Sequence, residues 1–128
     1  PFPIAIENLS RGGKTQIPYP STEKQITDLA KILPKNTGLT IDIGHLLQDD
    51  IDVFAVLEKT SHRIYDIHLH DGKKGLAHLK LGDGNLNLKA LIALLDKINY
   101  KGFVTIEVVG EKEIKDSWNL LKKTLNEN

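Results

Sequence analysis

In the stretch IYDIHLHDG, residues 64–72, the ionisable residues Asp66, His68 and His70 recur at a spacing of two. Successive side chains of a β-strand point to opposite faces, so these three share one face while Ile67 and Leu69 share the other. Three further segments repeat the pattern. Glu7 opposes Ile4 and Ile6, Asp42 opposes Ile41 and Ile43, and Glu107 opposes Val104, Ile106 and Val108. Each aliphatic face suits packing beneath helices, and each opposite face ends in an ionisable residue near its C-terminal end. Glu7, Asp42, His68 and Glu107 together make three carboxylates and one imidazole. Such a group is costly to bury unless it is paired, and a divalent cation relieves the mutual repulsion. An oxygen-rich set with one nitrogen suits Mn²⁺, Mg²⁺, Co²⁺ or Zn²⁺ without choosing between them. The competing reading is a solvated sheet face with scattered charges, which parallel sheets rarely display.

Four strand-then-helix units would position these residues. The strands are expected at residues 4–7, 38–45, 64–72 and 102–109. The first helix starts at PSTEKQ, where Ser21 or Thr22 caps and Thr22 with Gln25 resembles a capping box. Ile26, Leu29, Ala30 and Leu33 form its apolar stripe and Pro34 marks its end. Asp49 or Asp50 is expected to cap the second helix, with Val53, Phe54 and Leu57 inward. A long loop, DGKKGLAHLKLGDGN, precedes a third helix capped by Asn87 and carrying Leu88, Leu91, Ile92, Leu95 and Ile98. Ile114, Trp118, Leu121 and Leu125 mark the last helix. Alternating strands and helices imply βαβ units and a parallel sheet, hence an α/β fold. Ligands of such sheets bind at the carboxyl ends of the strands, where the four residues converge.

The chain has 128 residues, 40% hydrophobic and 27% charged, with no linker or low-complexity tract, so residues 1–128 read as one domain. Seventeen basic residues balance seventeen acidic ones, which gives no global reason to bind nucleic acid or an anionic membrane. Cysteine is absent, so any metal falls to His, Asp, Glu or water. No apolar run approaches the roughly 20 residues of a membrane span and no signal peptide is visible, so a cytoplasmic location is expected. Methionine is absent too, consistent with removal of an initiator or with the end of a longer chain.

The segments AIEN, IDIGH, HLHD, HLKLGDGNLN and VTIEV stand in the order seen in the xylose isomerase-like (β/α)8 barrels. That group includes sugar and sugar-phosphate isomerases and epimerases, inosose dehydratase, hydroxypyruvate isomerase and endonuclease IV. The chain resembles the second half of such a barrel, strands five to eight, which implies a (βα)4 half of a TIM barrel. The resemblance implies one divalent metal ion held by Glu7, Asp42, His68 and Glu107. It also implies that Glu7 and Glu107 move a proton next to the carbonyl of a carbohydrate substrate. Metal polarisation of the carbonyl and stabilisation of an enediolate make that abstraction feasible. His45 resembles the His of the group's D-x-x-H pair, which contacts substrate or a second metal; capping of a helix or carbonyl is the alternative. Lys74, His70 and His78 match positions near the substrate, with a solvated loop lysine as the alternative for Lys74. His70 and Asp71 also match residues that orient a ligand from behind. Gly82 and Gly84 suit tight turns, and His62 belongs to no motif.

Three functions compete. The first is a metal-dependent sugar or sugar-phosphate isomerase or epimerase. The second is an endonuclease IV-like zinc-dependent DNA repair hydrolase. That pattern places Asp two residues before His78, where this chain has Leu76, and neutral charge disfavours DNA. The third is a non-catalytic half barrel. A half barrel leaves two strand edges open, which a second copy or an N-terminal half would cover.

Overall fold

The computed structural model describes residues 2–13 and 15–127. In chain order the elements are β1 (Ile4–Glu7), α1 (Glu23–Ile32), β2 (Thr37–Asp42), α2 (Ile43–Gln48), α3 (Val53–Thr60), a 3₁₀ turn (Ser61–Arg63), β3 (Ile64–Leu69), β4 (Asp71–Lys73), β5 (Leu76–Leu79), α4 (Leu88–Lys97), β6 (Phe103–Ile106) and α5 (Glu111–Asn126). Strands β1, β2, β3 and β6 form one sheet in that spatial order, every pair parallel. This is the α/β architecture expected of half a (β/α)8 barrel, with helices over one face of the sheet.

The aliphatic face of the sheet is the core. Leu39, Ile41, Ile67 and Leu69 are buried with Ile26, Leu29 and Ala30 of α1, Val53, Val56 and Leu57 of α3, and Leu91 and Leu94 of α4. Each such Leu, Ile or Val side chain contributes about 1.5–3 kcal/mol. Helix α1 follows its expected caps: Thr22 accepts the Gln25 N–H at 3.2 Å, and the Gln25 side chain reaches back to the Ser21 N–H at 2.9 Å. Asn87 caps α4 by accepting the Ala90 N–H at 3.0 Å.

Four local expectations are corrected. The second strand stops at Asp42 rather than running to residue 45, because the Asp42 carboxylate accepts the His45 N–H at 2.8 Å and so starts α2 at once. Helix α3 is capped by Asp52, which accepts the Phe54 and Ala55 N–H groups, rather than by Asp49 or Asp50. Asp49 instead closes α2, and Asp50 turns with φ +60°. The third strand ends at Leu69, and the expected loop folds into an antiparallel hairpin of β4 and β5. The stripe of α5 is only half covered: Ile114, Trp118 and Leu125 are exposed, while Ser117 and Thr124 are buried. Helix α5 packs against the edge strand β6, beyond which no further strand lies among the described residues. Between α4, α5 and β6 an apolar groove of about 750 Å³ remains.

The β2–β3 pairing shifts register between Leu39 and Thr40, with Leu39 opposite Ile64 and Thr40 opposite Asp66. Tyr65 is therefore the extra residue of a bulge, and its ring lies 2.5 Å from where a Cβ on Gly38 would stand. The bulge explains how Ile64 and Ile67, three apart, are both buried while Asp66 and His68 keep to the opposite face. No helix among the described residues is long and apolar enough to cross a membrane.

Candidate metal centre

Parallel pairing brings the strand ends side by side. Glu7 closes β1, Asp42 closes β2 opposite His68 of β3, and Glu107 follows β6 with its N–H still bonded to Leu69 O at 3.1 Å. One donor atom from each of Glu7, Asp42, His68 and Glu107 lies within 4.8 Å of the others. His68 Nδ1 is at their centre, 2.9 Å from Glu107 Oε2, 3.2 Å from Glu7 Oε1 and 4.0 Å from Asp42 Oδ2.

Asp42 is fully buried, and the surrounding chain divides its two oxygens between two tasks. Oδ1 takes the His45 N–H, and His70 Nε2 approaches it to 2.8 Å. Oδ2 faces the cluster and has no aligned hydrogen-bond partner among the described residues; Glu107 Oε2 and His70 Nε2 share that condition. The Asp42 backbone is clamped by Asn8, whose amide accepts the Asp42 N–H at 2.7 Å and donates to Asp42 O at 3.2 Å. Asn8 was not among the expected site residues, although it closes the AIEN motif directly after Glu7.

The histidines separate into different roles. His70, expected among the substrate contacts, is completely buried behind Asp42, with Nε2 2.8 Å from Asp42 Oδ1. The His78 N–H donates to His70 Nδ1 at 2.9 Å, which puts the proton of a neutral His70 on Nε2, facing Asp42. His78 holds φ +54° to aim that N–H. Gly44 makes room for the ring: a Cβ there would lie 1.9 Å from His70 Nδ1. His45 stays at the rim, with Nδ1 3.2 Å from Asp42 Oδ2 and 3.2 Å from Asn8 O. His70 and His78 stack at 4.2 Å, and His45 meets His78 edge-on at 5.3 Å.

Lys74 is not drawn into this cluster. It lines a separate cleft of about 440 Å³ with Arg11, Gln48, Asp49 and Asp50, at the far end of α2. Asp71 is a buried pin: its carboxylate accepts the Gly72, Gly82 and Leu86 N–H groups, each at 2.9 Å, and fixes the loop before α4. A Cβ on Gly84 would fall 2.3 Å from that carboxylate, so close approach demands glycine there.

Electrostatics differ among the carboxylates. Burial pushes Glu7 above its ordinary value; His68 opposes the rise, and the nearby Asp42 charge adds to it. Burial pushes Asp42 upward as well, yet the His70 imidazole and the His45 N–H outweigh it and hold Asp42 below the ordinary range. Burial pulls His70 down, and Asp42 more than reverses this.

A parallel four-stranded half barrel with an acidic and histidine cluster at its carboxyl rim defines a protein of the α/β-barrel class. The model of the xylose isomerase-like TIM barrel family matches residues 2–124, and the chain belongs to that family. The protein MJ1311 of Methanocaldococcus jannaschii is 31% identical over 108 residues, covering 81% of this chain and 37% of that protein. An inosose dehydratase of Lactiplantibacillus plantarum is 31% identical over 104 residues, covering 66% of this chain and 35% of the relative. The crystal structure of a D-tagatose 3-epimerase-like protein superimposes with a TM-score of 0.81 at 28% identity, covering 97% of this chain and 47% of that one. The chain thus spans just over a third of these curated relatives and about half of this solved barrel.

Proposed function

We propose that the chain carries the metal-binding and proton-transferring half, strands five to eight, of a divalent-metal-dependent sugar or sugar-phosphate isomerase or epimerase. The observation that supports this most is the convergence of Glu7, Asp42, His68 and Glu107 within 4.8 Å, with Asp42 Oδ2 and Glu107 Oε2 buried and lacking aligned partners. Buried oxygens in that state fit a cation. Glu7, Asp42, Glu107 and His68 Nδ1 would hold it, and when bound it supplies Lewis acidity toward a substrate carbonyl.

The remaining chemistry belongs to the chain. Glu7 and Glu107 come from the two edge strands of the sheet and reach the centre from opposite sides. One takes the proton from the carbon beside the carbonyl and the other returns it, which requires opposite protonation states. Asn8, His70 and the α2 N-terminus keep Asp42 fixed and ionised while this happens. His45 and His78, at the rim, are placed to hydrogen-bond sugar hydroxyls. Lys74 reaches a substrate only if it extends along α2, about 9 Å at 1.5 Å per residue, as a phosphorylated sugar does.

Calorimetric titration with Mn²⁺ tests the centre. One ion per chain is expected, with binding lost in Asp42→Ala and His68→Ala; equal affinity in both variants would remove the metal centre. Deuterium uptake by ketohexoses, D-tagatose among them, then tests proton transfer. The second reading is a zinc-dependent hydrolase of the endonuclease kind, favoured by the grouping of His45, His70 and His78. His70 Nδ1 already accepts the His78 N–H and Nε2 lies against Asp42 Oδ1 at 2.8 Å, which weakens that grouping as a ligand set. Three bound Zn²⁺ ions rather than one would support the hydrolase.

A further inference from the structure

Asp66 lies on the same inner face of β3 as His68 but deeper in the sheet, and the proton-transfer scheme leaves it without a task. We infer that Asp66 is a positioning residue: it accepts the Nε2–H of His68 and thereby reserves Nδ1 for the cation. The inference rests on the proposed metal centre.

The geometry divides the ring of His68 cleanly. Nδ1 faces Glu107, Glu7 and Asp42, whereas Nε2 faces Asp66 Oδ2 at 3.4 Å. A neutral imidazole that gives one nitrogen to a cation carries its proton on the other. Among the described residues Asp66 is the only carboxylate within 4 Å of that nitrogen. It is itself anchored: the Thr105 hydroxyl donates across to its carboxylate, 3.2 Å from Oδ1 and 3.4 Å from Oδ2. Register explains the reach, since Thr105 stands opposite His68 and Asp66 opposite Phe103, so the hydroxyl crosses diagonally from β6. Among the described residues no lysine or arginine pairs with Asp66, and its side chain is only 25% exposed. Carboxylates behind metal-bound histidines fix the tautomer and raise ligand basicity. The sequence Thr105 hydroxyl, Asp66 carboxylate, His68 imidazole is therefore a continuous support from β6 through β3 to the centre.

The experiment is titration of the purified chain with Mn²⁺, run for wild type, Asp66→Ala, Asp66→Asn and His68→Ala. Asp66→Ala is expected to weaken Mn²⁺ binding about 10–100-fold. Asp66→Asn keeps an acceptor and recovers part of the loss, which a purely structural role would not produce. Imidazole nitrogen NMR of the Zn²⁺-loaded wild type provides a readout independent of any variant. A His68 proton on Nε2, shifted downfield and slow to exchange, is expected; a proton on Nδ1 overturns the inference. If His68→Ala loses Mn²⁺ while Asp66→Ala binds as wild type does, the inference fails and the metal centre stands. If His68→Ala itself binds Mn²⁺ normally, the metal centre fails and takes this inference with it.

Discussion

Replacing Gly44 by alanine sets two effects against each other. In a helix, alanine is favoured over glycine by about 1 kcal/mol, so propensity alone makes the change stabilising. The structure reverses the sign. A Cβ at position 44 would stand 1.9 Å from His70 Nδ1 and 2.0 Å from Cε1, and the ring is completely buried with nowhere to move. Displacing it breaks the His78 N–H bond to Nδ1 and the approach of Nε2 to Asp42. Overpacking costs about 1–3 kcal/mol, and the buried donors left unmet cost about 1–3 kcal/mol more. Net destabilisation of about 3 kcal/mol is expected after the helical gain is subtracted. Urea unfolding of wild type, Gly44→Ala, His70→Ala and the double variant measures it. With the ring gone the collision disappears, so Gly44→Ala in the His70→Ala background should be neutral or stabilising. Equal cost in both backgrounds would refute the packing account.

Other consequences are as direct. Glu107→Gln should abolish deuterium exchange at the sugar carbon while leaving the melting temperature near that of wild type; retained exchange removes Glu107 from the chemistry. Asp42 is held below the ordinary carboxylate range, so its charge stabilises the fold above the unfolded value of about 3.9, and that contribution is lost as pH falls through the folded value. Thermal melts of metal-free Asp42→Asn should therefore decline less steeply with acid than those of wild type, and parallel acid limbs would contradict this. Asp52→Ala should cost about 1 kcal/mol in chemical denaturation through loss of the α3 cap. Asp50→Gly, which suits the φ +60° there and lacks a capping oxygen, should cost less, and the reverse order would return the cap to Asp50.

The strands were legible because side-chain alternation is a local property of extended chain. That is why Ile41, Ile67 and Leu69 prove buried and why Glu7, Asp42, His68 and Glu107 share one face and converge. Choices among equivalent local signals were not legible. Asp49, Asp50 and Asp52 are all good helix caps by type, and only the folded chain selects Asp52. Ile43 continues the strand pattern yet belongs to α2, because Asp42 turns its carboxylate onto the His45 N–H. Features that depend on neighbours distant in sequence were hidden altogether. His70 reads as one more inward histidine until Asp42 and His78 close around it, and Asp66 has no visible partner until Thr105 arrives from β6. The half-bare stripe of α5 belongs with these, since periodicity marks an apolar face without saying what covers it.

The distance between the outer strands has a mechanical consequence. Laid flat, β1 and β6 would be three strand spacings apart, about 14 Å at ~4.8 Å each. Yet Glu7 from one and Glu107 from the other both reach the same imidazole nitrogen, at 3.2 and 2.9 Å. The two outer strands thus meet on a histidine of an inner one, and a cation held by both glutamates would tie the two edges of the sheet to a single point.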